Sequence, residues 1–486
     1  MRGSVILPVL LLRHCNDAIV RLVAILSILL TACAMGPDYK RPEVPVPEDY
    51  RMAAAEKEAE SIANLPWWEL LDDEELRKLV RIALNENKDL KQAVATVEEF
   101  QALLGVARTD FIPQVSVSAN YSPHTARLHT VDIPRLPATS NNYVQGNLSW
   151  ELDIWGRVRR ANEAARADLL SQEENRRAVI LELVSSVAQA YFDLRQFDMQ
   201  LDIAKSALQS WEESVAIAQA RLRRGVISKL DADQFGAERA NAAAQAAALE
   251  RLVIQKEDEL SVLLGRNPGQ IPRGKTLTEQ VMPAGVPAGL PSDLLKRRPD
   301  ILQSEENLAA ATARIGVAKA ERFPKISLTG VLGMASPQLS TLGKQTFGSA
   351  GLGLVGPLLN AQTLGFQQKA AEAQARQTLA QYEKTIIVAF SEVEDALVAI
   401  RTVRDQTKAQ EEQVAFLQSA LHLADIRYQG GLANYLDVLT AKRSLFDAEL
   451  SLAATRRLQL VSIVQLYKAL GGGWPVQETA DKKTPR

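Results

Sequence analysis

One long stretch of this chain is written twice. In its first form a helical, Ala- and Glu-rich pattern runs into Arg221-Leu222-Arg223-Arg224-Gly225-Val226-Ile227-Ser228-Lys229-Leu230-Asp231. In its second form a similar pattern runs into Arg427-Tyr428-Gln429-Gly430-Gly431-Leu432-Ala433-Asn434-Tyr435-Leu436-Asp437. Arg221 and Arg427 are 206 positions apart, and so are Gly225 and Gly431, Leu230 and Leu436, and Asp231 and Asp437. The same shift relates Val187 to Val393, Arg195 to Arg401, and Leu264-Gly265 to Leu470-Gly471. Self-similarity at one spacing means a fold built from two copies of one unit. In each copy a long helix should reverse at glycine, where φ > 0 carries no Cβ penalty. Ser228 and Asn434 are then the N-caps of the return helices, with Asp231 and Asp437 three residues on.

The spacing predicts the same content for both copies. Residues 65–275 make the first and 276–473 the second. Apolar positions Leu76, Leu79, Val80, Ala83, Leu84, Leu90, Ala93, Val94 and Val97 predict a helix from Trp67 to about Arg108. Its partner, shifted by 211 positions (Asp89 to Asp300), should run from near Ser292 to Glu321. Strands follow at about 113–121 and 143–155. Val115, Val117, Ala119 and Tyr121 lie on one face, with Gln114, Ser116, Ser118 and Asn120 on the other. Val144, Leu148, Trp150, Leu152 and Ile154 alternate with Gln145, Asn147, Ser149, Glu151 and Asp153 in the same way. Period-two alternation over about ten residues is the pattern of a membrane strand, lipid outside and water inside. A half-buried strand of a soluble sheet looks the same locally. Copy two repeats the pair at about 324–333 and 347–356, and polar loops 122–142 and 334–346 would be external. Long helices then span about 157–224 and 229–264, and about 361–429 and 434–470. The first, free of proline, would reach ~100 Å at 1.5 Å per residue. Charge all round these helices leaves narrow apolar seams, as in a barrel of helices wet on both sides.

The ends carry other signals. Arg21 precedes the apolar run Leu22 to Leu30, which closes on Thr31-Ala32-Cys33. A basic residue, a short apolar run and small residues read as a secretory signal over residues 1–32. The run falls short of the ~20 residues a spanning helix needs. Prolines at 37, 42, 45 and 47 make residues 33–64 an extended tether. The tail 474–486 is polar and lacks a helical pattern.

Composition excludes several functions. Lys+Arg number 56 against 58 Asp+Glu, so no basic surface for nucleic acid is implied. Cys15 and Cys33 both precede the body, which can form neither a disulfide nor a cysteine metal site. His124 and His129 sit in an expected external loop without acidic neighbours, and His422 in a long helix, so no metal centre is assigned. Gly351-Leu352-Gly353-Leu354-Val355-Gly356 spells a dinucleotide fingerprint, but inside a strand and before Pro357. With no βαβ unit around it, it reads as small or bend positions of a sheet. No nucleophile, base and orienter come together, so no catalysis and no cofactor are expected.

Four membrane strands cannot close a barrel, and an open edge in lipid is not tolerated. Eight strands close around a filled interior. Twelve, from three chains, would leave a lumen. The strands therefore argue for several identical chains sharing one barrel.

These features together resemble the TolC/OprM/NodT family of outer-membrane efflux proteins, in particular its lipoprotein branch serving resistance-nodulation-division pumps. The resemblance rests on Gly36-Pro37-Asp38-Tyr39-Lys40-Arg41-Pro42 after a lipobox-like Leu30-Thr31-Ala32-Cys33, and on Arg298-Pro299-Asp300. It rests further on Ala313-Arg314-Ile315-Gly316 with Phe323-Pro324-Lys325-Ile326-Ser327-Leu328-Thr329-Gly330, and on Gly431 through Leu439. It implies a mainly α fold with a membrane β-barrel portion. Three chains would form a twelve-stranded barrel and a long periplasmic α-barrel. It implies cleavage before Cys33, a covalent lipid on that cysteine, and sorting to the outer membrane, since Ala34 is not Asp. Its partners would be a periplasmic adaptor and an inner-membrane pump. The family's helical tips close the tunnel. By resemblance Asp437 is an acidic aperture residue, Thr440 stands where relatives often have a second Asp, Tyr428 is a tether and Asp231 its acceptor. Leu436, Gly225 and Gly431 belong to the same tips, and Ala433 replaces a tethering Arg of some relatives. Asp231 and Asp437 are equally first-turn acids of helices, worth ~0.3–1 kcal/mol each in that role alone. The competing reading is a lipid-anchored coiled-coil adaptor or scaffold with no pore.

Overall fold

The computed structural model describes residues 34–47, 49–51, 61–67, 72–121, 142–280, 291–336, 338–357, 360–432 and 434–473. Cys33 and the signal segment, His124, His129, Ala433 and the tail lie outside the described residues. Copy one contributes α1 (Glu74–Glu86), α2 (Lys88–Thr109), β1 (Gln114–Asn120), β2 (Asn142–Leu152), α3 (Arg157–Arg223) and α4 (Lys229–Leu263). Copy two contributes α5 (Pro291–Arg297), α6 (Pro299–Ala320), β3 (Lys325–Ser336), β4 (Thr346–Val355), α7 (Ala361–Gln429) and α8 (Tyr435–Ala469). Among the described residues no helix is long and apolar enough to cross a membrane. The chain divides into two units. One holds Val97–Gln172, Ser304–Tyr382 and the residues up to Pro42; the other holds Glu43–Thr96, Glu173–Gln303 and the residues from Glu383.

The first unit contains the sheet. Its order is β1-β2-β3-β4, all antiparallel, so the hairpin of copy one pairs with that of copy two through β2 and β3. The register carries one apolar face across all four strands. Val115 lies opposite Leu148, Leu148 opposite Gly330, Trp150 opposite Leu328, and Leu328 opposite Leu352. The other face aligns Ser116, Asn147, Val331 and Ser349 in one row and Glu151 and Ser327 in another. The apolar face is open: Val117, Leu332 and Leu352 are 76%, 73% and 70% exposed. A soluble half-buried sheet would cover these side chains. Gly351 and Gly353 lie in β4 on the polar face, beside Thr329 and Ser327.

The second expected strand ends early, at Leu152 rather than 155. Asp153 leaves the sheet to cap α3, accepting the amides of Val158 and Arg159 at 2.9 Å each. Gly156, at φ +76, makes the corner. Trp155 donates its ring N–H to the Pro324 carbonyl (2.8 Å) and stacks on Phe323 at 4.8 Å, at the corner below the sheet. The segment after residue 33 lies along this corner. The Met35 amide donates to the Trp155 carbonyl (3.0 Å), Arg160 reaches Asp38, and Gly36 backs onto the Gly316 backbone.

Two helices expected to be continuous are broken, at equivalent positions. Asn87 separates α1 from α2, and Arg298, 211 positions on, separates α5 from α6. The Asn87 amide still closes α1 on Ala83, while its side-chain oxygen caps α2 at Leu90 and its side-chain N–H donates to the Leu263 carbonyl. Arg298 precedes Pro299, whose ring disfavours α conformation in the residue before it. Side-chain amide capping does in one copy what proline does in the other.

The core of the second unit gathers Leu76, Leu79, Val80 and Ala83 of α1, Val187, Tyr191 and Leu194 of α3, Leu249 and Leu260 of α4, and Val461 and Val464 of α8. Each leucine or valine of this set stabilises the fold by ~1.5–3 kcal/mol. One carboxylate is enclosed here. Asp73, 1% exposed, caps α1 and accepts from the Tyr191 hydroxyl (3.0 Å), the Lys275 amide (2.9 Å) and the Gln280 side chain (2.9 Å). It fastens the segment 274–280 to α1 and α3.

Candidate functional site

The reversals between α3 and α4 and between α7 and α8 form the site. After Arg223, Gly225 adopts φ +73; its amide donates to the Leu222 carbonyl and that of Val226 to the Arg221 carbonyl, both at 2.9 Å. Gly431 does the same at φ +70, donating to Tyr428 (3.1 Å), with Leu432 donating to Arg427 (2.8 Å). This is the Schellman end of a helix. A Cβ added at either glycine would meet nothing within 4 Å, so the dihedral alone calls for glycine.

The two return helices begin differently. Ser228 and Asp231 close a full capping box: the Asp231 amide donates to the Ser228 hydroxyl (3.1 Å), and the Ser228 amide donates to the Asp231 carboxylate (3.1 Å). Asn434 accepts the Leu436 amide, at 3.3 Å, and Asp437 is exposed. The first turn of α8 splits into two faces. Tyr435, Val438 and Leu439 are buried, while Leu436, Asp437 and Thr440 are exposed together.

The buried face joins a cluster that ties the two copies. It contains Trp211 and Ala218 of α3, Phe235 and Ala242 of α4, and Tyr435, Val438 and Leu439 of α8. Phe235 stacks on Tyr435 with ring centroids 3.8 Å apart, and Tyr428 meets Tyr435 edge-on at 5.2 Å. Arg221 lies over the Tyr428 ring and donates to its hydroxyl at 2.5 Å. One turn further, Lys442 of α8 donates to the Ser210 and Ser214 hydroxyls (3.0 and 3.2 Å) and lies 5.2 Å from the Trp211 ring centre. Burial pushes the Tyr435 hydroxyl's pKa up and that of the Lys442 ammonium down, each by disfavouring the charged form.

The residues singled out in the sequence divide accordingly. Within the chain the Tyr428 hydroxyl meets Arg221 of the other hairpin, while Asp231 is held in its own capping box. The geometry explains the difference, since an N3 carboxylate is drawn back toward the N-cap. Asp437, Thr440 and Leu436 share an open face. His422 is an exposed residue of α7. Trp211, Phe235, Tyr435 and Lys442 escaped the sequence reading. They lie where the copies differ: the shift of 206 sets Trp211 against Leu417, Phe235 against Ala441, Tyr435 against Lys229 and Lys442 against Gly236. Searching for agreement between copies hides the residues that join them.

The profile of a family described as Outer membrane efflux protein matches this chain twice, over residues 79–266 and 290–472. The chain belongs to that family. Among its relatives, the Toluene efflux pump outer membrane protein TtgC of Pseudomonas putida is 35% identical over 480 residues, covering 96% of this chain and 98% of TtgC. The Cation efflux system protein CusC of Escherichia coli is 34% identical over 453 residues, covering 92% and 98%. In structure, the open state of the MtrE outer membrane channel of Neisseria gonorrhoeae superposes with a TM-score of 0.81 at 30% identity, covering 91% and 98%. As a member of the outer membrane efflux protein family, the chain is an outer-membrane protein with a long periplasmic portion, and the pore-less scaffold reading is set aside.

Proposed function

We propose that this protein is the exit duct of a tripartite efflux system. Three copies share one twelve-stranded barrel and conduct passively what an inner-membrane pump delivers through a periplasmic adaptor. A covalent lipid on Cys33 anchors each chain, and the helical tips are the gate. The observation that carries the reading is the sheet: four strands with, among the described residues, an uncovered apolar face and unpaired edges on β1 and β4. Such a sheet is stable in lipid only when other chains close it. The names of TtgC and CusC place those proteins in efflux machines; what each exports is theirs.

At the tips, the Arg221–Tyr428 contact and the Phe235–Tyr435 stack hold the hairpins of one chain together, while the exposed Asp437, Leu436 and Thr440 face other copies. Three Asp437 carboxylates around one axis would repel one another and favour cations. Adaptor and pump would open the duct by binding the splayed tips better than the closed ones. Conductance of the detergent-extracted protein in planar bilayers tests this. Arg221→Ala combined with Tyr428→Phe should raise basal conductance, and Asp437→Asn should lower cation preference. A particle of one chain that gives no conductance in any variant would sink the duct reading.

A further inference from the structure

Above the tip cluster, the second unit contains a half-open cavity of about 750 Å³ between α3, α7 and α8. Three contacts fix how α3 and α8 align along it. Lys442 lies level with Ser210 and Ser214, the Gln200 side chain donates to the Leu450 carbonyl (2.9 Å), and Arg457 meets Asp193. The helices run antiparallel here, so Asp202 of α3 stands at the level of Glu449 of α8. Both line the cavity. Lys442 and Glu449 are seven residues apart, which puts them on one face of α8, ~10 Å from each other along its axis. The cavity therefore has a cationic end and an acidic end. Between them Ile203, Leu421, Leu445 and Phe446 make most of the wall, with Ser206 and Gln418 interspersed.

None of these end charges makes an ion pair within 4 Å among the described residues, and Asp202 stands exposed at the rim. Lys442 is half-buried; it donates to two serine hydroxyls, lies against the Trp211 ring, and burial outweighs the longer-range attraction of Asp425 and Glu213. Among the described residues Glu449 accepts a 3.5 Å contact from Gln418, and burial pushes its carboxyl pKa up. The other charged lining residues are engaged: Arg195 with Asp198, and Arg456 with Glu411. Lys442 and Glu449 are both partly desolvated, and a partly desolvated charge without a direct ion pair gains from an added partner.

We propose that this cavity binds an elongated organic zwitterion, its anionic group on Lys442, its cationic group between Asp202 and Glu449, and an apolar spacer along Leu445 and Phe446. Such a ligand would clamp α3 of copy one to α8 of copy two. The site does not depend on the duct reading, because it lies within one chain.

The probe is 8-aminooctanoate, whose charges are separated by about the Lys442–Glu449 distance. Octanoate and octylamine share its chain with one charge each. Binding to the full, detergent-extracted protein is followed by titration calorimetry. The zwitterion should saturate one site per chain and bind about tenfold or more tighter than either single-charge analogue, as expected for the one charged hydrogen bond each analogue lacks. Lys442→Met should weaken it by a similar factor while leaving octylamine unaffected. Leu445→Trp, which fills the apolar middle and keeps both ends, should abolish binding, and it decides the matter if Lys442→Met does not fold. Equal affinity for octanoate or octylamine, or zwitterion binding untouched by Leu445→Trp, would overturn the proposal.

Discussion

At the scale of single residues, this protein handles buried charge in contrasting ways. Asp73 is enclosed, but amides and side chains from three segments donate to it, so its burial is compensated. Glu174 of α3 is less complete. Arg177 donates to one oxygen at 2.7 Å, while the other is buried without a hydrogen bond. Burial outweighs the Arg177 attraction and pushes the carboxyl pKa up. The folded protein therefore holds the Glu174 proton to higher pH than the unfolded chain does. The stabilisation this gives is complete below the unfolded value and is lost as pH rises through the raised folded value. At neutral pH, where the carboxyl of the unfolded chain is ionised, this preference for the neutral form opposes folding. Glu174→Gln should accordingly raise the unfolding temperature near about pH 7.5 and leave it unchanged near about pH 4. An equal gain at both pH values would show that ionisation is not the cause.

At the scale of elements, the duplication is visible in how helices end. Gly225, Gly265, Gly431 and Gly471 all close their helices at φ between +68 and +73. Their surroundings differ in a way that predicts unequal tolerance. A Cβ at Gly225 or Gly431 meets nothing, but at Gly265 it would stand 2.3 Å from the Glu86 carbonyl oxygen and at Gly471 3.1 Å from the Arg297 backbone. Gly225→Ala should cost about 1 kcal/mol, from the dihedral alone. Gly265→Ala should cost several times as much, because two backbones must separate at the break after α1. Comparing the thermal unfolding of the two variants checks this, and similar losses would contradict it. Much of this was legible in the sequence. Glycines at a constant shift located the reversals, and alternation located the strands, because both signals are local. The breaks at Asn87 and Arg298 were not read: apolar spacing continues across each, and only a cap and a following proline mark them. The cluster at the tips was also missed, since Phe235 and Tyr435 each look like ordinary apolar positions of a helix. What makes them a site is contact between copies, which no local pattern encodes.

At the scale of the whole molecule, the edges of the sheet decide how many chains must assemble. Each unpaired N–H or C=O of β1 or β4 would cost several kcal/mol in hydrocarbon. Two chains could close eight strands, but an eight-stranded barrel is filled by its own side chains. The polar face here is lined largely by small groups, Ser116, Ser118, Thr329, Ser349, Gly351 and Gly353 among them, which suits a wider and wetter interior. Oxidative cross-linking separates these possibilities. β1 and β4 lie three strand spacings apart within one sheet, ~14 Å, beyond the reach of a disulfide. Any bond between a cysteine on β1 (Ser116→Cys or Ser118→Cys) and one on β4 (Ser349→Cys) must therefore join different chains. Two positions on β1 are used because the register across the closing seam depends on the stagger of the barrel. The expected product is a ladder that stops at three chains under denaturing electrophoresis. A ladder that stops at two would mean a filled barrel and no duct. Monomers alone, from both pairs, would mean that the edges never meet, and the apolar face would then need another cover.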